Sequence, residues 1–383
     1  MEENGVLSRH EDDWEVLCSF LPAGWQEQAK RTGALIRCRK FRDAEVLLRT
    51  LLIHLADGCS LRETAVRARQ GGLATVSDVA LLKRLKVAGE WLRWLAVQLM
   101  VGLVPSPMSR LPGAGQRIRI IDGSTVQEPG STGTSWRIHY SIAFPSLACD
   151  EVHITGPETG ESFRLFAVAP GDLILGDRGY ANRANVGHVV RQEGDVLIRL
   201  NLTTLPLLER QGARFPLLAR LRTLSGTRLG DWEVSVRHEG SLIPGRVCAL
   251  KKSKQAAERA RRKSLKENSK KGRKIRPETL EAAGYLFVFT TLDRAVPPSH
   301  VLEMYRGRWQ VELAFKRLKS IVGIGRLKKT DLEAARAWIH GKLLVAFLIE
   351  TLIAAGERFS PWGYPLAAPS IPVAGDTADA ARP

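Results

Sequence analysis

From about Trp14 to Leu103 apolar residues recur at three- and four-residue intervals, in stretches such as AEVLLRTLLIHLA and SDVALLKRLKVAGEWLRWLAVQLM. That period predicts an all-helical N-terminal domain. Inside it Ser60 is placed to cap a short helix, SLRETAVRARQ, after which Gly71 and Gly72 turn the chain and Ser77 caps a second helix. Two capped helices around a glycine turn fit a DNA-binding helix-turn-helix. They fit a plain helical bundle equally well, because caps and a turn do not specify docking into a groove.

The Pro- and Gly-rich run VPSPMSRLPGAGQ interrupts this pattern and reads as a linker. Beyond it the period changes to two. Arg117 to Asp122 (RIRIID) alternates and ends on a carboxylate, as a strand does when its tip faces a site. WRIHYSIAF and CDEVHIT follow with turn residues between them, which predicts three consecutive antiparallel strands. Next come ESFRLFAV as a short helix, the buried strand DLILGD ending in Asp177, a helix from Asn182 to Gln192 and a strand from Val196 to Leu200. Three strands followed by alternating helices and strands make an α/β sheet core.

Between about Leu202 and Leu292 the alternation breaks into polar, short-stranded sequence such as GDWEVSVRH and RVCALKK, a basic stretch, and GYLFVFTTL. This reads as a β-rich insertion. The expected organisation is therefore a helical, DNA-binding N-terminal domain over 1–112, a core in two parts over 113–201 and 293–358, the insertion over 202–292, and a tail over 359–383. The tail is rich in Ala and Pro without periodicity, which predicts disorder.

Composition narrows the partners. The 383 residues exceed the span of one hydrophobic core, and 44% hydrophobic with 25% charged residues describes an ordinary globular chain. The net charge of +17 makes nucleic acid the first partner to consider. Most of that excess is local: Lys251 to Arg276 holds 13 Lys or Arg against Glu258 and Glu267. A solvated charged helix accounts for many charge runs, but a block this one-sided repels itself unless a polyanion lies against it. No apolar run reaches the roughly 18 residues that cross a bilayer, since Leu343 to Ala355 is short and contains Glu350. The acidic N-terminus lacks the features of a signal peptide, so a cytoplasmic protein is expected. Five scattered cysteines have no zinc or disulfide spacing and read as small buried hydrophobes, and the dispersed histidines, His139 and His153 included, suggest no metal role.

The segment most informative about chemistry is YRGRWQVELAFKRLK, Tyr305 to Lys319, which should be helical. Tyr305, Arg308, Glu312, Lys316 and Lys319 are spaced by three, four, four and three, so at about 100° per residue they share a stripe roughly 80° wide. Trp309, Leu313 and Leu318 pack the other sides, with Trp309 also a candidate contact because it adjoins Arg308. A surface helix laced with Glu-Lys pairs would give the same spacing. The two strand-end aspartates upstream, Asp122 and Asp177, favour a site instead, because strand tips in one sheet converge.

With these residues the chain resembles the DDE transposases of bacterial insertion sequences, in the insertion-sequence-four branch that includes the transposon-five enzyme. Tyr305, Arg308, Glu312 and Lys319 meet the signature Tyr-x2-Arg-x3-Glu-x6-Lys in full, and DGST at Asp122 and GDRGY at Asp177 look like the two aspartate motifs. The resemblance implies an RNase H-like catalytic core interrupted by the insertion, with Asp122, Asp177 and Glu312 both catalytic and metal-binding. Two Mg2+ ions roughly 3.5 to 4 Å apart, for which Mn2+ substitutes, would activate the nucleophile and stabilise the leaving alkoxide. Asp122 would bridge them while Asp177 and Glu312 each favour one, with water and then a DNA 3′-hydroxyl as successive nucleophiles. It also implies phosphate contacts from Tyr305, Arg308 and Lys319, joined by Lys316; Arg178 and Tyr180, following the second aspartate, fit either DNA positioning or, equally, a helix-entry turn. Tyr285 or Phe287 would stack on a flipped base or serve as core. The expected partners are double-stranded DNA, as terminal inverted repeats and target, and a second copy of the chain in the synaptic complex, with no membrane. Three intact carboxylates favour an active enzyme over a transposase-derived DNA-binding protein that has lost catalysis. The acid-Lys strand motif of other metal-dependent nucleases is absent from this sequence.

Overall fold

The computed structural model describes residues 13–103, 116–131, 133, 135–270, 272–327 and 330–356. The expected linker, apart from Gln116, and the expected tail lie outside those residues. The N-terminal helices are α1 (Trp25–Arg31), α2 (Ala44–Leu55), α3 (Leu61–Gln70), α4 (Asp78–Val87) and α5 (Gly89–Leu103). Their starts follow from their caps: the Asp43, Ser60 and Ser77 side chains accept from the backbone N–H of Val46, Glu63 and Ala80 at 2.8, 3.1 and 3.2 Å. The two capped helices around Gly71 and Gly72 are thus present as α3 and α4.

The α/β expectation is met by one eight-stranded mixed sheet of order β3-β2-β1-β4-β5-β8-β7-β6. Its strands are β1 (Arg117–Val126), β2 (Trp136–Phe144), β3 (Cys149–Thr155), β4 (Asp172–Gly176), β5 (Asp195–Arg199), β6 (Gly230–His238), β7 (Ser241–Lys251) and β8 (Tyr285–Thr290). The first three are antiparallel, and β4 and β5 then run parallel to β1. β8 pairs antiparallel with β5 and carries β7 and β6 beyond it, so the strands of the 202–292 segment extend the same sheet. Between the strands lie α6 (Arg183–Arg191), α7 (Leu217–Arg222), α8 (Lys254–Lys270) and α9 (Pro277–Ala282); α10 (Pro298–Gly307), α11 (Trp309–Ser320) and α12 (Leu332–Gly356) follow the last strand.

Alternate residues of the central strands feed two cores. Ile118, Ile120, Leu173 and Leu175 join one with the N-terminal helices, α11 and α12, whereas Ile121 and Ile174 join the other with α6, α7 and much of β6 to β8. The N-terminal helices therefore share their core with one face of the sheet. α12 is longer than the apolar run at Leu343 predicts and is buried from Ala334 to Leu348 except at Arg336. Its length and apolar composition would suffice to cross a membrane, but here it packs on α5 as a core helix.

Three local readings need correction. ESFRLFAV forms only a 3-10 turn at Phe163–Leu165. Asp122 does not end its strand, because β1 stays paired with β2 as far as Val126. Cys38 is exposed and Cys18 half-buried, so only Cys59, Cys149 and Cys248 behave as buried hydrophobes.

Candidate active site

The parallel pairing of β1 with β4 stops at Ile120 opposite Leu175. Asp122 and Asp177 each lie two residues farther along, so both carboxylates stand where the ladder has opened. Carboxyl ends of adjacent parallel strands are where α/β sheets build sites. Each aspartate accepts from a backbone amide just after it, within the strand for Asp122 and in the following 3-10 turn for Asp177: Gly123 N–H donates to Asp122 Oδ1 at 2.8 Å, and Gly179 N–H donates to Asp177 Oδ1 at 2.7 Å. Burial, and then the charge of Asp177, push the Asp122 carboxyl up to about 7, against the pull of the Gly123 N–H and Arg308.

The third carboxylate arrives from α11. α10 and α11 meet at Arg308, whose right-handed helical backbone (φ −54°, ψ −30°) joins two helices rather than continuing one. The guanidinium bridges the other two groups: Nη1 lies 3.4 Å from Asp122 Oδ2, and Nη2 donates to the Glu312 carboxylate. Tyr305, one turn earlier, is buried and its hydroxyl has no hydrogen-bond partner among the described residues. Burial raises its phenol. Asp177, Arg178, Tyr305, Arg308 and Glu312 line one cavity of about 300 Å³, together with Arg199, Phe287 and the α8 residues Lys263 and Glu267.

Other expected contacts are distributed around this centre. Lys319 lines a separate pocket with Thr125, Gln127 and Arg326, and Lys316 is exposed. Trp309 is 51% exposed instead of packed, which leaves its ring free for a partner. Tyr180 is fully buried and stacked on Phe163 at 4.6 Å, so it is a core residue here and not a surface contact. Tyr285 is buried in the core, and Phe287, also buried, reaches the cavity wall.

Sequence reasoning missed several charged groups beside the site. Arg199 ends the buried strand β5, where a lone cation after VLI is the only local signal; burial and then Arg178 lower its pKa. Burial, followed by Arg199 and Arg178, lowers Lys252 to about 8. Glu161 meets the strand tips from the segment after β3, paired with Arg137 at 3.3 Å. Its pKa is raised by burial and then by Asp177.

Residues 161–348 match the family described as "Transposase DDE domain". The chain is 33% identical over 359 residues to the "Putative transposase InsL for insertion sequence element IS186A" of Escherichia coli (strain K12), covering 91% of this chain and 96% of that protein. The chain belongs to the DDE transposase family. It is also 33% identical to the "Transposase for insertion sequence element IS421" of Escherichia coli, with the same coverage, and 24% identical to that of IS231B of Bacillus thuringiensis subsp. berliner, covering 87% of this chain and 78% of that protein. Enzymes of this family cut and join DNA and generally depend on divalent metal. The donor chemistry of the transposase fits such an ion: carboxylates from β1, the end of β4 and α11 offer hard oxygen atoms, and Arg308 places positive charge among them. Among the described residues no three acidic, His or Cys side chains are yet gathered tightly enough to enclose a cation.

Proposed function

We propose that this transposase performs cut-and-paste transposition of an insertion sequence, with Asp122, Asp177 and Glu312 as its catalytic and metal-holding carboxylates. The observation that carries the reading is the Arg308 bridge: it links Asp122 to Glu312, 190 positions along the chain, beside Asp177 at the opened strand tips. Two divalent ions, Mg2+ or Mn2+ in its place, would supply Lewis acidity at the nucleophile and at the leaving oxygen. Asp122, Asp177 and Glu312 would hold these ions. Arg308 offers paired N–H donors to a phosphate, and Arg178, Arg199, Lys252 and Lys263 add positive charge around the same cavity. Tyr305, Lys316, Lys319 and Trp309 extend this contact surface.

The strand order β3-β2-β1-β4-β5, with β4 and β5 parallel to β1, supports an RNase H-like core. We take residues 202–292, β6 to β8 included, as its insertion, with α8 as a basic wall of the DNA channel. Ala260, Lys263, Ser264 and Glu267 on one face of α8 line the cavity. The substrate is double-stranded DNA bearing the element's terminal inverted repeats, followed by target DNA, in the cytoplasm at the nucleoid. Joining two ends takes two active sites, so the working assembly is a homodimer on DNA.

The test is metal-dependent cleavage of a labelled duplex carrying the element's own end, with binding scored in parallel. Wild type should cut with Mg2+ or Mn2+, while Asp122→Ala, Asp177→Ala and Glu312→Ala bind without cutting. Wild type that binds but never cuts with either ion would make the protein a DNA-binding relic; mutants that cut normally would remove the three carboxylates from the mechanism.

A further inference from the structure

The three carboxylates leave one feature of their surroundings unexplained, the glycine beside each aspartate. Neither Gly123 nor Gly179 has a left-handed φ, so neither is required by backbone conformation. What they provide is clearance. A Cβ on Gly179 would lie 1.8 Å from Glu161 Oε2, and one on Gly123 would lie 3.2 Å from Glu161 Cγ and 3.7 Å from Arg137 Cδ. Glu161 therefore reaches between β1 and the end of β4, against the very residues whose N–H groups hold Asp122 and Asp177. The second oxygen of the same carboxylate is anchored: Arg137 Nη1 donates to Glu161 Oε1 at 3.3 Å, and Arg137 stands on β2 opposite Thr125 of β1. Both side chains are largely shielded, at 18% and 27% exposure for Arg137 and Glu161.

We propose that Glu161, braced by Arg137, is a positioning residue that sets the separation of the Asp122 and Asp177 carboxylates and the turn that orients Asp177. The inference rests on the metal-holding role proposed above. A wedge of this kind acts on metal affinity through the ligands it orients. Loss of such an outer partner typically weakens metal binding by about 10- to 100-fold.

Binding is read without DNA or turnover, by titrating Mn2+ into the intact protein and following free Mn2+ by electron paramagnetic resonance. Glu161→Gln and Glu161→Ala should each weaken Mn2+ binding about 10-fold or more, with melting of the metal-free protein unchanged or raised. A merely structural role would lower that melting temperature instead. Gly179→Ala should weaken Mn2+ binding in the wild-type background and add little in the Glu161→Ala background, where the colliding carboxylate is gone. Should Glu161→Ala fail to fold, Glu161→Gln carries the comparison. Asp122→Asn and Asp177→Asn serve as references. If they lose Mn2+ while both Glu161 variants bind like wild type, the positioning role is wrong; if they too bind like wild type, the metal reading fails first and takes this proposal with it.

Discussion

Replacing Asp122 by Asn should stabilise the metal-free transposase at neutral and alkaline pH. Burial and the nearby Asp177 move the Asp122 carboxyl from 3.8 to about 7. At roughly 1.4 kcal/mol per tenfold, that sets a ceiling of about 4 to 5 kcal/mol on the cost of its ionised form in the fold. The sign follows from proton binding. Between the two values the native state keeps a proton that the unfolded chain has released, so wild-type stability declines as pH rises through this window and levels off above about 7. Asn carries no such term. It also gives up attraction to the Arg308 guanidinium 3.4 Å away, so a gain of about 1 to 3 kcal/mol is the working expectation. At about 2 °C per kcal/mol this is a rise of a few degrees in Tm. Thermal unfolding in EDTA, at pH values from 5 to 8.5, should show the mutant's advantage widening up to about pH 7 and constant beyond. Adding Mn2+ should then raise the wild-type Tm more than the mutant's. An advantage independent of pH, or none at all, would refute the argument that Asp122 is held charged against its surroundings.

Lys252, lowered to about 8, should take up a proton when DNA phosphate binds nearby. DNA affinity, measured by fluorescence anisotropy at fixed salt, should then fall by up to about tenfold per pH unit above 8 in wild type, and by less in Lys252→Met. Equal pH dependence in the two would exclude the linkage. Arg246 is buried and donates to the carbonyls of Leu292, Asp293 and Val296 as well as to Asp231, so Arg246→Met should cost about 3 kcal/mol or more in urea unfolding. A loss under about 1 kcal/mol would mean that water satisfies those carbonyls. At Gly341 of α12 an added Cβ would meet Leu55 Cδ1 of α2 at 2.5 Å. Gly341→Ala should therefore destabilise by about 1 to 3 kcal/mol, with Leu55→Val in the same chain recovering part of it; recovery of nothing would place the strain elsewhere.

The residues legible in the sequence are those whose geometry is fixed by the chain next to them. Ser60 and Ser77 are read as caps because the amides they accept from lie three residues on. Tyr305, Arg308 and Glu312 are read together because seven residues of helical spacing keep them close, even though the helix breaks at Arg308. Asp177 is legible as the residue after a buried strand. Asp122 is harder, since its own strand continues to Val126 and what opens beside it is the end of β4, a partner more than fifty residues away. The buried Lys342 and His340 broke the apolar run that would have announced all of α12. Glu161 had no period to betray it, lying in a connection with neither helical nor strand repeat. The nearest trace it leaves in the sequence is indirect: a glycine one residue after Asp122 and another two after Asp177, neither with a positive φ. Where a glycine flanks a candidate catalytic residue without needing its conformational freedom, the side chain occupying the space where its Cβ would be is itself a candidate for the site.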